Sequence, residues 1–581
     1  MPGHVFVVQG DISRLVCDSY ASPSLFFAND NEFFDHPPHL VWISGYLRKK
    51  SPNPNLYRGI VDLKPEDRPL LVRTSSPFIK QIVLNDPEGP LVYSIDISFI
   101  NNSDMDENVQ VQRISLFLDV VQEHIKREKK KPLHGRSKYL FVVPVIGTGG
   151  GGNYMRTGLV VKQILDLLWS CASKTDEYDL ALCCYDVETL QLAQQYRFQN
   201  IDKAFPNYQT DTPFFIPERF ENVFSVARYL AKSLSNDELV LFIGNEIIKG
   251  SGIPSWDELL DIMAVDVNIN PQSGSWMDMD IINKAEIVQF RCEKQGHSIG
   301  ELIQKKLKFF TNTLQSLLLA GLQCKEVVTT NYDQCFEQAV KDQHLEEKMS
   351  VIPTNICRDT NKWLLKLHGC ISKPSSIVVT RQDYLRYMES NAALAGIVQA
   401  KMLTSQLLFI GFSMEDENFH KIMDSVLKAK KEKHSTVGIT LQPLHNKYTC
   451  ELWEPAIECV SMREITKTTN TSEALRDLEM FIDLVFVQKT KYDCGYVLDI
   501  RFKELLSEEE RTLQVLLSNL KADLDKHQIT IPEYPCVMEM FGKYGKKNFT
   551  IFNSNLRRTF SNHSELKSVF IKRNNKIKIN K

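Results

Sequence analysis

No two of the 13 cysteines stand at C-x-x-C spacing, which excludes a paired-cysteine zinc module and a dithiol redox motif. Their number is odd, and most sit in apolar stretches such as Leu182-Cys183-Cys184-Tyr185, as small core residues do. A reducing compartment is expected, cytoplasmic or nuclear. No run approaches the roughly 18 apolar residues of a membrane span, and the longest, such as Leu140 to Ile146, have strand length. The first residues, Met1 to Asp11, lack the charged start and long apolar stretch of a secretory signal. A net charge of −3 is too balanced for a chain that binds nucleic acid over its whole surface. No metal site is expected.

What is present is enough chain for more than one core. Single cores stop growing near about 250–300 residues, and the sequence has 581, so two or three domains are expected. From Val5 to about Arg197, short apolar runs alternate with helical patterns. Val5 to Val8, Leu70 to Val72, Leu91 to Tyr93, Tyr139 to Val145 and Asp179 to Tyr185 read as strands. Arg113 to Arg127 and Thr157 to Ser173 read as helices. Strand, glycine-rich turn, helix and strand make a βαβ unit, so residues 1–200 form an α/β domain. Residues 201–221, with three prolines and little periodicity, read as a linker that lets the flanking domains dock in more than one way.

Residues 222–490 form the second domain. A helix, Asn222 to Leu234, leads into the strand Glu238 to Ile243. Further strands are predicted at Lys325 to Thr329, Trp363 to Leu367, Gln406 to Ile410 and Thr436 to Thr440, and a helix at Ser472 to Val487. Continuous apolar strands alternating with helices predict a parallel, Rossmann-like sheet covered on both faces. In residues 491–581, Ser507 to Lys526 is a charged amphipathic helix. From Phe541 onward, eleven Lys or Arg stand against one acidic residue, Glu565. A solvated tail is one reading of that stretch. An anionic partner, nucleic acid or a membrane surface, is the other.

Four segments of the second domain fall at the C-terminal ends of predicted strands, where open α/β sheets bind ligands. They are Phe242 to Trp256, Val328 to Asp333, Leu365 to Gly369 and Leu408 to Asn418. Together they resemble the sirtuin-like NAD-processing family, in the branch found in antiviral defence proteins. The resemblance implies NAD as substrate. By its motifs Asn331 and His368 are the catalytic pair, with Asp333 supporting on the ribose side. Gly244, Ser251, Gly252, Pro254, Trp256, Thr330, Gly411, Ser413 and Asn418 would line the nucleotide. The residue types suit the chemistry independently. Breaking a nicotinamide–ribose bond passes through an oxocarbenium-like transition state with a neutral leaving group. An amide can orient water or a ribose hydroxyl, and a histidine near neutral pKa can take the proton.

Two departures bear on activity. The family's Gly-Ala-Gly-x-Ser turn is Gly244-Asn245-Glu246-Ile247-Ile248 here, which puts a carboxylate where a pyrophosphate is expected. Deacylase-type sirtuins carry paired C-x-x-C motifs and Gln-Asn-Ile-Asp. This chain has neither, and reads Thr330-Asn331-Tyr332-Asp333 instead. That favours a NAD glycohydrolase, which releases nicotinamide and leaves ADP-ribose or a cyclic product, over a protein deacylase.

At the N-terminus, Val7-Val8-Gln9-Gly10-Asp11-Ile12 and Val142 to Gly152 are similar to the first strand and the phosphate loop of a macrodomain. The resemblance implies that Asp11 and Ile12 recognise a base, and that Gly147, Thr148, Gly149, Gly150 and Gly151 cradle phosphate with backbone N–H groups. The segment Tyr20-Ala21-Ser22-Pro23 replaces an expected Asn-rich stretch, so binding of ADP-ribose, rather than its hydrolysis, is implied. Two functions stay open: an NAD-degrading enzyme of innate immunity governed by a nucleotide-binding domain, or a degenerate nucleotide-sensing scaffold. A homo-oligomer is expected in either case.

Overall fold

The computed structural model describes residues 2–24, 70–83, 89–96, 109–129, 131–146, 148, 156–208, 214–307, 311–343, 349–358, 360–430, 436–454, 456–466, 469–492, 501 and 505–526. The basic stretch after Phe541 and all of the glycine-rich loop except Thr148 lie outside them.

Among the described residues, two seven-stranded sheets organise the chain. The first contains β1 (Val5–Gln9), β2 (Ser19–Ser24), β3 (Leu70–Arg73), β4 (Ile79–Val83), β5 (Leu91–Asp96), β6 (Tyr139–Pro144) and β7 (Tyr178–Cys184), in the order β1-β7-β6-β2-β5-β4-β3. Pairing is parallel from β1 through β5, and β4 runs antiparallel to both its neighbours. Every residue of β1 and β7 is buried, as expected for continuous apolar strands covered on both faces. Helices α1 (Val109–Glu128), α2 (Thr157–Ala172) and α3 (Val187–Gln199) complete this domain among the described residues. β2 was not legible as a strand because its composition, Ser-Tyr-Ala-Ser-Pro-Ser, reads as a turn. Pro23 is tolerated because β2 pairs with β6 only through Ser19 and Tyr20, before the proline.

Helix α4 (Val223–Ser235) opens the second domain behind a capping box of Asn222 and Ser225. Its sheet contains β8 (Leu239–Ile243), β9 (Glu326–Thr329), β10 (Ser350–Ile352), β11 (Trp363–Lys366), β12 (Gln406–Ile410), β13 (Gly438–His445) and β14 (Ile457–Glu464). All pairs are parallel, in the order β10-β11-β9-β8-β12-β13-β14. From β8 the chain builds outward on one side, then crosses back to add β12 on the other. The strand order therefore reverses between β8 and β12, and a crevice opens beyond their C-terminal ends. The helices used below are α5 (Trp256–Asp266), α6 (Leu314–Gly321), α7 (Cys335–Asp342), α8 (Glu417–Ala429) and α9 (Thr471–Lys489).

The stretch read as a loose linker is packed where it is described. Phe205 is fully buried against the His4 ring, Tyr208 stacks on Phe214, and Phe215 pairs with Ser461 of β14 and stacks on His445. The two sheets also share one apolar cluster, which includes β1 residues, α6 and α9. Apolar surface on α6 and α9 is thus covered from both sides, and the two halves pack as one body.

Candidate functional site

Beyond β8 and β12 the two backbones touch. A Cβ on Gly244 would fall 2.2 Å from the Gly411 carbonyl oxygen, and Gly411 itself has φ +65°. Both positions therefore need glycine for close strand-end approach. The Gly244 N–H donates to Ile410 O (3.0 Å) and the Glu246 N–H to Gly411 O (3.2 Å). Residues Asn245–Ile248 form a 3₁₀ turn over this contact. Pro254 leads into Ser255, which caps α5 in a reciprocal pair with Glu258.

This floor carries a cleft of about 550 Å³. Thr330, Asn331, Asp333, His368, Pro254, Trp256, Gly411 and Ser413 all line it, although they come from four separate strand ends. Asn331 Nδ2 donates to Gly244 O (3.2 Å), which leaves Oδ1 as its acceptor for a ligand hydroxyl or water. Asp333 lines the cleft, and its Oδ1 also accepts from Cys335 N (2.8 Å) to start α7. Gly244 lies under Asn331. Ser251, Gly252 and Asn418 are not part of the lining. Ser251 is buried, and its carbonyl accepts from Thr311 Oγ1 (2.8 Å). Asn418, 1% exposed, follows the cleft residue Glu417 in sequence, and neither atom of its amide makes a hydrogen bond among the described residues.

His368 is 4% exposed, and its Nε2 is buried without a hydrogen bond. Burial pushes the imidazole below its usual pKa, while Asp416 opposes that shift, so the ring is held neutral near pH 7. Asp416 Oδ2 lies 3.5 Å from Nε2. Tyr384 and Tyr387 meet the ring edge to face, at 5.6 and 5.8 Å between centroids.

Sequence reasoning assigned no role to Asp416, Tyr384 or Lys366. Lys366 is fully buried on β11; it donates to the carbonyl of Asp333 and to Glu337 Oε1 (2.7 Å). It thereby ties the Asn331 loop to the strand bearing His368. A charged residue inside the apolar run Trp363-Leu364-Leu365-Lys366-Leu367 was the available signal. For Asp416 the signal was its place as a helix cap, directly before α8.

Glu246 is exposed as a residue, yet partial burial of its carboxyl pushes its pKa up, with Lys249 opposing. It borders the cleft and also a cavity of about 180 Å³ between the two domains. Among the described residues, five carboxylates line the cleft, at Glu246, Asp333, Glu415, Asp416 and Glu417, and no lysine or arginine does. Such a lining favours a cationic group or developing positive charge. Phosphates there would depend on backbone N–H groups.

Comparison with known proteins bears on this geometry. The family described as "SIR2-like domain" matches residues 325–455, the span that supplies Asn331, His368 and Asp416. Residues 325–455 are thus SIR2-like. A protein named NAD(+) hydrolase ThsA from Enterococcus faecium is 26% identical over 204 residues, 34% of this chain and 41% of that protein. Another NAD(+) hydrolase ThsA, from Bacillus cereus (strain MSX-D12), is 25% identical over 207 residues, 34% of this chain and 42% of its own length. Defense-associated sirtuin 2 of Bacillus subtilis is 25% identical over 232 residues, 38% of this chain and 22% of that protein. The chain thus matches well under half the length of these relatives. Among the described residues, no group of three or more His, Cys, Asp or Glu side chains is placed to hold a metal, and no helix is long and apolar enough to cross a membrane.

In the N-terminal domain, Asp11 caps the 3₁₀ turn Ile12–Arg14 and accepts from Ser13 N (3.0 Å) and Ser13 Oγ (2.7 Å). Ile12 is buried. Arg14 reaches Asp342 of α7 (2.7 Å), and Val16 N donates to Asn312 O (2.9 Å). The segment expected to read a base is therefore docked on the SIR2-like domain. Gly147 and Gly149 to Gly151 lie outside the described residues.

Proposed function

We propose that the chain is an NAD glycohydrolase: NAD and water become nicotinamide, ADP-ribose and a proton. The observation that carries this reading is the convergence of Asn331 and His368 in one cleft at the strand-order reversal. A neutral, buried imidazole is a base suited to a proton released as the ribose carbon is attacked. The Asn331 oxygen is available to orient the water. The carboxylates around the cleft favour the positive charge that develops on the ribose. The names of the relatives support the same chemistry and a place in defence. Incubation of the purified full chain with NAD, with nicotinamide followed by chromatography, tests it. No release across a range of protein concentrations would sink the reading.

The second reading, a nucleotide-binding scaffold without turnover, draws on Glu246. Its carboxylate borders the cleft, and its N–H is committed to Gly411 rather than free for phosphate. Binding without nicotinamide release is the outcome that would favour it.

Residues 1–200 are read as a macrodomain-like partner that binds ADP-ribose-type nucleotides through Asp11 and the Gly147–Gly151 loop and so governs the cleft. Full-length His368→Ala protein should bind ADP-ribose by calorimetry, and adding Gly150→Asp should remove one site per chain. Unchanged stoichiometry would end the idea.

A further inference from the structure

We propose that Asp416 is the positioning residue for His368, fixing the ring's orientation and its tautomer; this rests on the NAD-cleaving reading. The carboxylate is fixed at the start of its helix and turned toward the ring. Its Oδ1 accepts from Phe419 N (2.8 Å) as the cap of α8. The Tyr384 ring lies beside His368, and after burial it is Asp416 that pushes the Tyr384 phenol's pKa up. Asp416 Oδ2 faces His368 Nε2 at 3.5 Å. That nitrogen is buried and makes no hydrogen bond among the described residues, so it is a polar atom in need of a partner, and Asp416 Oδ2 is the acceptor that faces it.

The separation is too long for a hydrogen bond in this state. Catalytic hydrogen bonds are often long before substrate arrives and tighten once it is bound. Contraction by a few tenths of an ångström places the proton on Nε2, where the carboxylate accepts it. Nδ1 then carries the lone pair that takes the reaction's proton. After transfer the imidazolium keeps both protons, and Asp416 remains a carboxylate that stabilises the cation.

The groups facing the ring are few. From helix Arg381–Ser390 come Tyr384 and Tyr387, whose phenols are pushed up by burial and then by Asp416, and so stay neutral. From the cap of α8 comes Asp416, the charged group that faces the imidazole. The ring's titration therefore reports on this carboxylate.

Asp416→Asn is the decisive variant. Asparagine caps a helix about as well as aspartate, so α8 is kept while the charge is removed. The experiment measures three things on full-length protein: melting temperature, the His368 ring titration by NMR with ¹⁵N-histidine, and kcat/KM for NAD against pH. His368→Gln identifies the signal. We expect near-native melting for Asp416→Asn, with the His368 pKa and the acid limb of kcat/KM both lower by about 1 unit. The rate at pH 7.5 should fall by about 10-fold or more. An unmoved His368 titration overturns the pairing whether or not NAD turns over. A shifted titration with an unchanged rate profile overturns the positioning role. Absence of nicotinamide release from the wild type sinks the NAD-cleaving reading instead, and the ring titration still separates the two failures.

Discussion

Arg197 and Asp483 stand 286 positions apart and form a two-pronged ion pair, at 2.8 and 2.5 Å, with both side chains fully buried. The pair joins the last turn of α3 in the first domain to α9 in the second. His4 adds a third member, its Nε2 2.8 Å from Asp483 Oδ2. Burial opposes ionisation of Asp483, but Arg197 and His4 hold it below the usual carboxylate range. Beside it, Arg476 of α9 grips Asp179 of β7 through two hydrogen bonds, at 2.8 and 2.7 Å. Charges this deep demand their partners, so the two domains are locked in one arrangement.

Asp483→Ala should therefore destabilise both halves together. Breaking a buried pair by removing one partner costs about 3–5 kcal/mol, because the remaining charge is stranded. Differential scanning calorimetry should show a single transition in the wild type and a single, lower one in the variant. Two separate transitions, with only one displaced, would show that the domains unfold independently.

Gly244 and Gly411 are constrained by each other. Gly244→Ala places a methyl group against the Gly411 backbone, and should cost about 1–3 kcal/mol as an overpacked contact. Urea unfolding measures it. A midpoint equal to wild type would mean that the two strand ends separate without cost.

His368→Ala and Asn331→Ala should each lower NAD turnover by about 10²-fold, the scale for losing a positioned general base or its partner. The pH dependence has a definite sign. If His368 is the neutral base of the proposed reaction, the acid limb of kcat/KM should lie below pH 6.5, because burial depresses its folded pKa. Activity holds as pH falls toward that value and is lost as it falls through the folded pKa. A limb above 6.5 would contradict the buried, neutral imidazole.

Glu246→Gly should tighten NAD binding if the phosphates pass over the 3₁₀ turn. The measurement is titration calorimetry in a His368→Ala background, where turnover is suppressed. The expected change is about 10-fold in Kd, the scale of removing one like charge in a partly desolvated site. An unchanged Kd would place the phosphates away from this turn.

Much of the architecture was legible along the chain. The runs Val5 to Val8 and Leu239 to Ile243 are apolar throughout, and such runs are buried parallel strands in the structure. The four segments at predicted strand ends do surround one cleft, because a parallel sheet gathers the C-terminal ends of its strands on one side. Edge strands were harder. β10 has three residues, and β14 carries Glu458, Ser461 and Arg463 among its apolar positions, so neither shows a continuous run.

Sequence by itself determined the α/β alternation, the order of the motif segments and the residue types at the strand ends. These are local properties, set by periodicity and by the need of buried strands for apolar side chains. Only the tertiary structure decided that Asp416 faces His368, that Lys366 holds the Asn331 loop, and that Asp483 receives Arg197 and His4 from the other domain. In each case the partners are brought together by sheet order and helix packing rather than by spacing. A buried charge has no sequence signature of its partner. Its low-dielectric surroundings demand one, and the fold determines which residue is near enough to supply it.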